Sequence, residues 1–451
     1  MILKSSNHRW LVVVKLLLVF GLFWGLAWVR LDPDFGWHLQ AGNYIRQHGI
    51  PSHDLFTYSA AGFHWIDHEW GNDALVSWLY GLGGYGLLMS VFAGLWTATL
   101  WVVGRRVGWP VLLAAAVALL PYAGVRPTIW SLLGLASLLQ LTASRSRRAL
   151  VAIPLLFIIW ANLHGGFVIG LAYLAYLAIR QRSRFWLGLL ALSAAATLIN
   201  PYAWQLYSEI GRTLFDRSLH NQINEWRPLF ILPPSWAYCV LFLSGFWLLA
   251  RRKLANWLSF SMLLLAATLA ASRNLPLFVI ASLSETDQRF QKMRSLIPKQ
   301  LEFPKKLVLG LLIGLVSFEL VYGLYVSYWP WQPRDANYPK TAVAYLQVHS
   351  CPGHLFNDYN YGGYLIWQLP QTKVFIDGRM PSWRGARGQK YLDIYYKILD
   401  DSHYRQAAFA QYNIRCVLIG NGRKPSLIAD LTSHGWHLIT TANSSTLLIK
   451  P

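Results

Sequence analysis

Long apolar runs, separated by short polar loops, fill the chain up to about residue 329. The first run, residues 10–29, is long enough to cross about 30 Å of hydrocarbon and ends at Arg30 without a small-residue cleavage site. It therefore predicts a retained transmembrane helix rather than a signal peptide. Further runs predict spans at 82–104, 108–123, 127–143, 149–163, 165–180, 185–199, 235–250, 254–271, 274–286 and 307–328. The pattern indicates a mainly α fold, a polytopic transmembrane bundle of about eleven helices.

Basic residues gather in alternate loops of this bundle. With the N-terminus in the cytoplasm, the inner loops carry the basic clusters at 105–106, 145–148, 180–184, 251–253 and 289–306, as the positive-inside rule requires. The same register places a first outer loop at 31–81 and a second outer loop at 200–235. We therefore predict a multi-pass protein of the cytoplasmic membrane, with a transmembrane domain at 1–329 and an extracytoplasmic domain at 330–451.

Composition agrees with this prediction and excludes other classes. Hydrophobic residues make up 55% of the 451 positions and charged residues only 13%, which is too apolar for a soluble α/β protein. The net charge is +20, but its Lys and Arg residues lie in separate short clusters, so nucleic acid is not a predicted partner. Of the three cysteines, Cys239 lies in an apolar run, and a disulfide between Cys351 and Cys416 requires that both lie outside the cytoplasm.

The segment 330–451 is more polar than the rest and predicts a small α/β domain. Short β-rich runs at 354–356, 373–376, 415–419 and 436–441 alternate with helical stretches, and no phosphate-binding glycine loop appears. Two polar and aromatic groups at expected strand ends are candidates for binding an acceptor sugar, and the alternative is ordinary turn chemistry. Their residues are Asp358, Tyr361, Asp377 and Arg379.

Two acids directly after the first predicted span are the main candidates for chemistry. Asp32 and Asp34 flank a proline at the level where lipid meets water, and burying acids there is costly. If the stretch is extended, both carboxylates face one side, and an apolar boundary favours a carboxyl basic enough to accept a proton. We assign Asp34 the role of general base and Asp32 a supporting or metal-binding role, and the opposite order stays open.

Other polar residues of the outer loops are predicted to line the same site. Arg126 and Arg273 lie at outer helix ends, against the positive-inside pattern, and suit a donor phosphate, whereas the alternative is a snorkelling arginine. His164 lies where one span gives way to the next, and a structural role is the alternative for a single histidine. The predicted substrate-binding residues of the loops and rims are His38, Asp67, His68, Glu69, Asn162, His164 and Glu225.

Several short motifs, spread over most of the chain, resemble those of a known family. They are Asp32-Pro33-Asp34 with Trp37-His38, Gly49-Ile50-Pro51, Asp54-Leu55-Phe56, the stretch from Trp65 to Trp70, Trp160 to Phe167, Asn200-Pro201-Tyr202, Asn224-Glu225-Trp226, Arg273 to Pro276, and Asn357-Asp358-Tyr359 with Gly362-Gly363-Tyr364. Together they resemble bacterial GT-C membrane glycosyltransferases related to protein O-mannosyltransferases and aminoarabinose transferases. The protein O-mannosyltransferases carry an Asp-Glu pair where this chain has two aspartates around a proline.

The resemblance implies an enzyme of the outer membrane face. It would take a sugar from a polyprenyl-phosphate donor and pass it to a lipid, glycan or protein acceptor. In such enzymes an acid of the first outer loop activates the acceptor or binds a divalent metal such as Mg²⁺ or Mn²⁺. The corresponding metal ligands in this sequence would be Asp32, Asp34, Glu69 and His164.

Two functions without catalysis compete with this prediction. A flippase or transporter of a lipid-linked saccharide would place charges or broken helices near the bilayer midplane and would show repeated halves. This sequence is predicted to keep nearly all of its acids at one membrane face, and no internal repeat is evident. A membrane scaffold subunit would need none of the acids, so loss of the acid at 34 distinguishes it from an enzyme.

Overall fold

The computed structural model describes residues 3–144, 146–229, 258–296, 321, 337–420, 425–442 and 445–451. The described part is mostly helical and carries one small sheet. The spans predicted at 235–250 and 307–328 lie outside the described residues, as do Cys239 and the basic cluster at 251–253.

The helices are α1 Leu3–Val29, α2 Phe35–His48, α3 Trp70–Gly104, α4 Trp109–Leu119, α5 Thr128–Ser144, α6 Arg147–Leu163, α7 Phe167–Gln181, α8 Arg184–Ala196, α9 Gln205–Leu214, α10 Leu219–Gln222, α11 Phe260–Ala270, α12 Leu275–Leu296, α13 Lys340–Val348, α14 Gly362–Gln368, α15 Tyr391–Asp400, α16 Ser402–Gln411 and α17 Pro425–Ser433. Short 3₁₀ turns cover Leu120–Tyr122, Asn224–Trp226, Ser272–Asn274 and Tyr359–Tyr361. The strands are β1 His354–Asn357, β2 Ile414–Gly420, β3 His437–Ala442 and β4 Ser445–Ile449.

Two of the described helices are long and apolar enough to cross a membrane. They are α1, through its segment Val12–Val29, and α3, which is kinked at Gly83 and Gly84. The other apolar helices are shorter, with 10–17 residues. The prediction of about eleven spans is therefore not confirmed, because most of the predicted runs form helices too short to meet the same length criterion.

The chain divides into two compact units that alternate along the sequence. Unit 1 comprises Met1–Val29, Met89–Asn200 and Ser218–Gln332, and unit 2 comprises Arg30–Leu88, Pro201–Arg217 and Pro333–Pro451. The first outer loop therefore packs in the same unit as the C-terminal segment. The division at residue 329 stays a prediction about which part lies outside the membrane, because compact packing groups the residues differently.

The core of unit 1 consists of large aromatic side chains on apolar helices. Trp96, Phe157, Trp160 and Phe278 are fully buried. The indole N–H groups of the two tryptophans are hydrogen-bonded inside the unit. That of Trp160 donates to Ser131 Oγ at 2.9 Å, and that of Trp96 donates to the carbonyl of Gly124. Helices without polar faces can pack on all sides in this way.

The sheet of unit 2 is mixed and has the order β1-β2-β4-β3. β1 runs parallel to β2, and β4 pairs antiparallel with both β2 and β3. The predicted strands at 354–356, 415–419 and 436–441 are confirmed, whereas the run at 373–376 forms only single bridges at Val374 and β4 was not predicted. One of those bridges joins Val374 to Thr57, so the first outer loop is tied to the edge of the C-terminal sheet.

Candidate functional site

The two acids after α1 lie in a tight turn rather than in an extended stretch. The backbone N–H of Asp34 donates to Asp32 Oδ1 at 2.9 Å, and the N–H of Phe35 donates to the Asp32 carbonyl. Helix α2 starts at the next residue, as expected after a proline followed by a short acidic residue. The two carboxylates therefore differ in surroundings: that of Asp32 braces the turn, and that of Asp34 accepts a hydrogen bond from the Trp37 indole at 3.0 Å.

The C-terminal segment packs directly on this turn. A β-carbon added at Gly363 would collide with the carbonyl of Pro33, and one added at Gly378 would collide with the carboxylate of Asp34. Only glycine permits such close approach of two backbones. The motifs around 362–363 and 377–379, which the sequence suggested as a separate acceptor site, are thus brought to the acids of the first outer loop within unit 2.

A buried ion triad stands beside Asp34. The Arg379 guanidinium donates from Nε to Asp377 Oδ1 at 2.9 Å and from Nη2 to Asp377 Oδ2 at 2.6 Å, and Nη2 lies 2.8 Å from Asp54 Oδ1. Burial opposes the charge, but the carboxylates of Asp377 and Asp54 outweigh it and raise the pKa of Arg379. The side chains of Arg379 and Asp377 are buried, so their predicted contact with an acceptor sugar requires this cluster to open.

Four aromatic rings enclose the same guanidinium. The Arg379 Cζ atom lies 4.5 Å from the ring centre of Trp65, 4.9 Å from Phe56, 5.2 Å from Trp383 and 5.9 Å from Trp37. We call these rings the aromatic cage. Such distances are within the range of cation–π attraction. Trp37 belongs both to the cage and to the hydrogen bond with Asp34, so it links the triad to the candidate base.

A second group of titratable residues surrounds His38. Its Nδ1 lies 2.6 Å from Asp73 Oδ1, and its Nε2 lies 3.7 Å from Glu69 Oε2. The predicted site residues His38 and Glu69 are thus close together. His68 Nε2 is 3.6 Å from the other oxygen of Glu69. Burial and the charge of Asp73 raise the pKa of Asp67 well above its ordinary value. The sequence did not single out Asp73 as a site residue, although it lies four residues after Glu69 and its backbone N–H donates to the Glu69 carbonyl at 3.0 Å.

The described residues do not fit the predicted metal site. They contain no group of three or more His, Cys, Asp or Glu side chains that could hold a metal ion. Asp32 and Asp34 accept hydrogen bonds from the turn and the indole, Glu69 faces histidines, and His164 belongs to unit 1. We therefore derive no step through a metal.

The two arginines predicted to bind phosphate both act on Glu225 in unit 1. Arg126 Nη1 donates to Glu225 Oε1 at 3.1 Å, and the Arg273 guanidinium lies 4.3 Å from the ring centre of Trp226. Burial alone would raise the pKa of Glu225, but Arg126 and Arg273 outweigh it and lower this pKa. Both arginines therefore act on the same carboxylate.

The remaining predicted residues take part in local structure. Asn162 donates to the carbonyls of Ile158 and Ile199 at 2.8 Å each, and His164 Nδ1 accepts from the N–H of Gly166 and lies 2.6 Å from Ser131 Oγ. In unit 2, the Asp358 carboxylate caps the 3₁₀ turn that contains the buried Tyr361. Their substrate contacts stay predictions.

Comparison with known proteins identifies the fold. No protein-family model and no curated sequence matches the chain. Three solved structures of the oligosaccharyltransferase of Archaeoglobus fulgidus do match it. For AglB with an inhibitory peptide and a dolichol-phosphate, the TM-score is 0.59 at 10% identity, over 98% of this chain and 74% of that one. For the apo form, the TM-score is 0.59 at 12% identity, over 100% of this chain and 75% of that one.

The third structure, tethered to an acceptor peptide, gives a TM-score of 0.58 at 11% identity over 92% of this chain and 70% of that one. At these identities the likeness shows the fold alone, and the chain has an oligosaccharyltransferase-like fold. The specific relationship to protein O-mannosyltransferases and aminoarabinose transferases is not confirmed.

Proposed function

We propose that the chain is a GT-C membrane glycosyltransferase. It moves a sugar from a polyprenyl-phosphate donor to a lipid, glycan or protein acceptor on the outer face of the cytoplasmic membrane. The observation that carries the proposal is the half-buried carboxylate of Asp34, held by the Trp37 indole at the N-terminus of α2, within an oligosaccharyltransferase-like fold.

Asp34 acts as the general base in the proposed reaction. It accepts the proton of an acceptor hydroxyl or amine while the acceptor atom forms a bond to the anomeric carbon of the sugar. The bond between that carbon and the phosphate oxygen breaks, and its electron pair leaves with the polyprenyl phosphate. Asp32 supports the base by holding the backbone N–H of residue 34, which favours this order of roles over the reverse.

The donor and the acceptor class have separate support. One structural neighbour was solved with a dolichol-phosphate, and another with a tethered acceptor peptide. A polyprenyl-phosphate donor and a protein acceptor are the corresponding proposals for this chain. Arg126 and Arg273 are proposed to bind the donor phosphate, because both act on the Glu225 carboxylate and the planar fork of arginine suits phosphate oxygens.

An outward-facing C-terminal segment is part of the proposal. Cys351 and Cys416 form a disulfide across 65 residues of sequence. Disulfides persist in oxidising compartments, which supports a position outside the cytoplasm for this part of unit 2.

Mass spectrometry of envelope lipids, glycans and proteins tests the proposal. Cells that lack the chain should lose a sugar modification, and the wild-type gene should restore it. Asp34→Asn should reach the membrane in normal amount and fail to restore the product. Asp401→Asn serves as the matched control, because Asp401 is an exposed helix cap and asparagine caps equally well. Full restoration by Asp34→Asn would favour a flippase or a scaffold subunit instead.

A further inference from the structure

We propose that Arg379 is a positioning residue that sets the place of the Asp34 carboxylate. This inference rests on the proposed function for its catalytic meaning, but its structural part can be tested without any substrate. It assigns to a residue of the C-terminal segment a role in the chemistry of the first outer loop, within unit 2.

Two connections lead from Arg379 to Asp34. The first runs through Trp37, whose ring lies 5.9 Å from the guanidinium carbon and whose indole N–H donates to Asp34 Oδ1 at 3.0 Å. The second runs through the backbone, because the neighbouring Gly378 touches the carboxylate of Asp34. A shift of the guanidinium would therefore move the hydrogen-bond donor and the wall of the carboxylate together.

The guanidinium itself is fixed on several sides. Asp377 holds it in a bidentate pair, which fits only the planar fork of arginine, and Asp54 takes a further contact from Nη2. The backbone N–H of Arg379 also donates to Asp377 Oδ1, so the side chain and the main chain are tied to the same acid. Lysine would keep the charge but lose the fork.

The surroundings of Arg379 go beyond what a surface ion pair needs. Its side chain is only 3% exposed and is enclosed by the aromatic cage. Its third nitrogen, Nη1, is buried and has no hydrogen-bond partner among the residues that the structure describes. A buried donor without an acceptor is unfavourable, so stability alone is a weak reason for this arrangement. The placement of Trp37 beside Asp34 explains why the Arg379 guanidinium is buried in the aromatic cage.

A second buried arginine in unit 2 provides the matched control. Arg405 is 5% exposed at its side chain and donates from Nε and Nη2 to Asp430 Oδ2 at 3.1 and 2.7 Å. None of its contacts given by the structure involves the turn at 32–34. Substituting it removes a buried ion pair of the same type without touching the proposed link.

Hydrogen–deuterium exchange on the full-length protein in lipid nanodiscs tests the link. The readout is the exchange of the backbone amides at 34, 35 and 38, all of which donate hydrogen bonds in the turn. In Arg379→Met and Arg379→Lys these amides should exchange about tenfold faster, since local opening becomes easier. In Arg405→Met the same peptide should exchange as in the wild type. Equal exchange in all variants, or equal acceleration by Arg405→Met, would overturn the proposal.

The catalytic part is tested by the amount of product per folded protein in complemented cells. Arg379→Met should lower it about 100-fold, because a displacement of about 1 Å at a reacting group has effects of this size. Trp37→Phe keeps an aromatic ring but lacks the indole N–H, so it should also lower the product. This variant tests the link independently if Arg379→Met fails to fold. The double variant Trp37→Phe with Arg379→Lys should lose hardly more product per folded protein than the more strongly affected single variant. Additive losses would show that Arg379 does not act through Trp37.

The two proposals fail in different ways. If exchange at 34–38 responds to Arg379 but Asp34→Asn leaves the product intact, the positioning link stands and the proposed base is wrong. If Asp34→Asn abolishes the product while exchange and product per folded protein ignore Arg379→Lys, the positioning proposal is wrong.

Discussion

The carboxylate of Asp34 lies against the α-carbon of Gly378, with no room for a side chain between them. The contact joins the start of the first outer loop to a turn in the C-terminal segment. A side chain at position 378 would therefore collide with the Asp34 carboxylate.

Replacing Gly378 by alanine tests this contact. The added methyl group must displace either the turn at 377–379 or the Asp34 carboxylate, and overpacking of this kind costs about 1–3 kcal/mol of unfolding free energy. We expect lower thermal stability and loss of product in complemented cells. Gly385→Ala is the control, since the nearest atom to its β-carbon would be 3.4 Å away. Normal product with Gly378→Ala would mean that the contact has no part in activity.

The arginine pair of unit 1 predicts a charge-dependent affinity for phosphate. Arg126→Gln leaves one cation against Glu225 and should weaken binding of undecaprenyl phosphate about 10- to 100-fold, as measured by ligand-induced thermal stabilisation of the purified protein. Undecaprenol, which lacks the phosphate, should bind equally to both proteins. Arg106→Gln, in an exposed loop, is the matched control. Unchanged phosphate binding in Arg126→Gln would contradict the assignment.

The disulfide predicts which side of the membrane unit 2 faces. In a Cys239→Ser background, the protein in intact cells should show no free thiol until it is treated with a reductant, after which a membrane-impermeant maleimide should label Cys351, whereas Cys416 is buried. Cys351→Ser should lower the unfolding free energy by about 2–5 kcal/mol. Labelling that requires permeabilised cells would place this segment in the cytoplasm.

A buried glutamate in the second outer loop predicts a pH-dependent stability. Burial raises the pKa of Glu209, although Arg212, 3.0 Å away, and His64 oppose the shift. The folded state therefore binds this proton more tightly than the unfolded state. Its contribution to stability is full below the ordinary pKa of 4.5 and is lost as the pH rises through the raised value.

Glu209→Gln should consequently reduce the fall in melting temperature between about pH 4 and pH 8. Thermal unfolding in detergent at each pH measures the effect, with Asp401→Asn as the exposed-carboxyl control. A steeper fall in the Glu209→Gln protein would show that the pair with Arg212 dominates over burial.

Local sequence pattern was sufficient to predict where most of the apolar helices and most of the strands lie. Apolar runs predicted the apolar helices, and short β-rich runs predicted three of the four described strands of the C-terminal sheet. Isolated charges at helix ends pointed to Arg126 and Arg273, which meet at Glu225. Each of these features depends on residues close in sequence or on a single unusual side chain.

What the sequence could not supply was the meeting of distant segments. Asp34, Asp54 and Arg379 come together only because the first outer loop bridges to Val374 and because glycines at 363 and 378 allow close approach. No local sequence pattern predicts these contacts between segments that are more than 300 residues apart. The conformation at 32–34 was also expected to be extended, whereas the Asp32 carboxylate draws it into a turn.

The discontinuity of unit 2 has a consequence for biosynthesis. A ribosome produces Asp34 and the first three rings of the cage long before it produces Arg379 and Trp383. A nascent or prematurely stopped chain thus contains Asp34 without Arg379, and the first three rings of the aromatic cage lack the guanidinium that they enclose. Under the proposed function, the site is therefore complete only after the last part of the polypeptide has been synthesised.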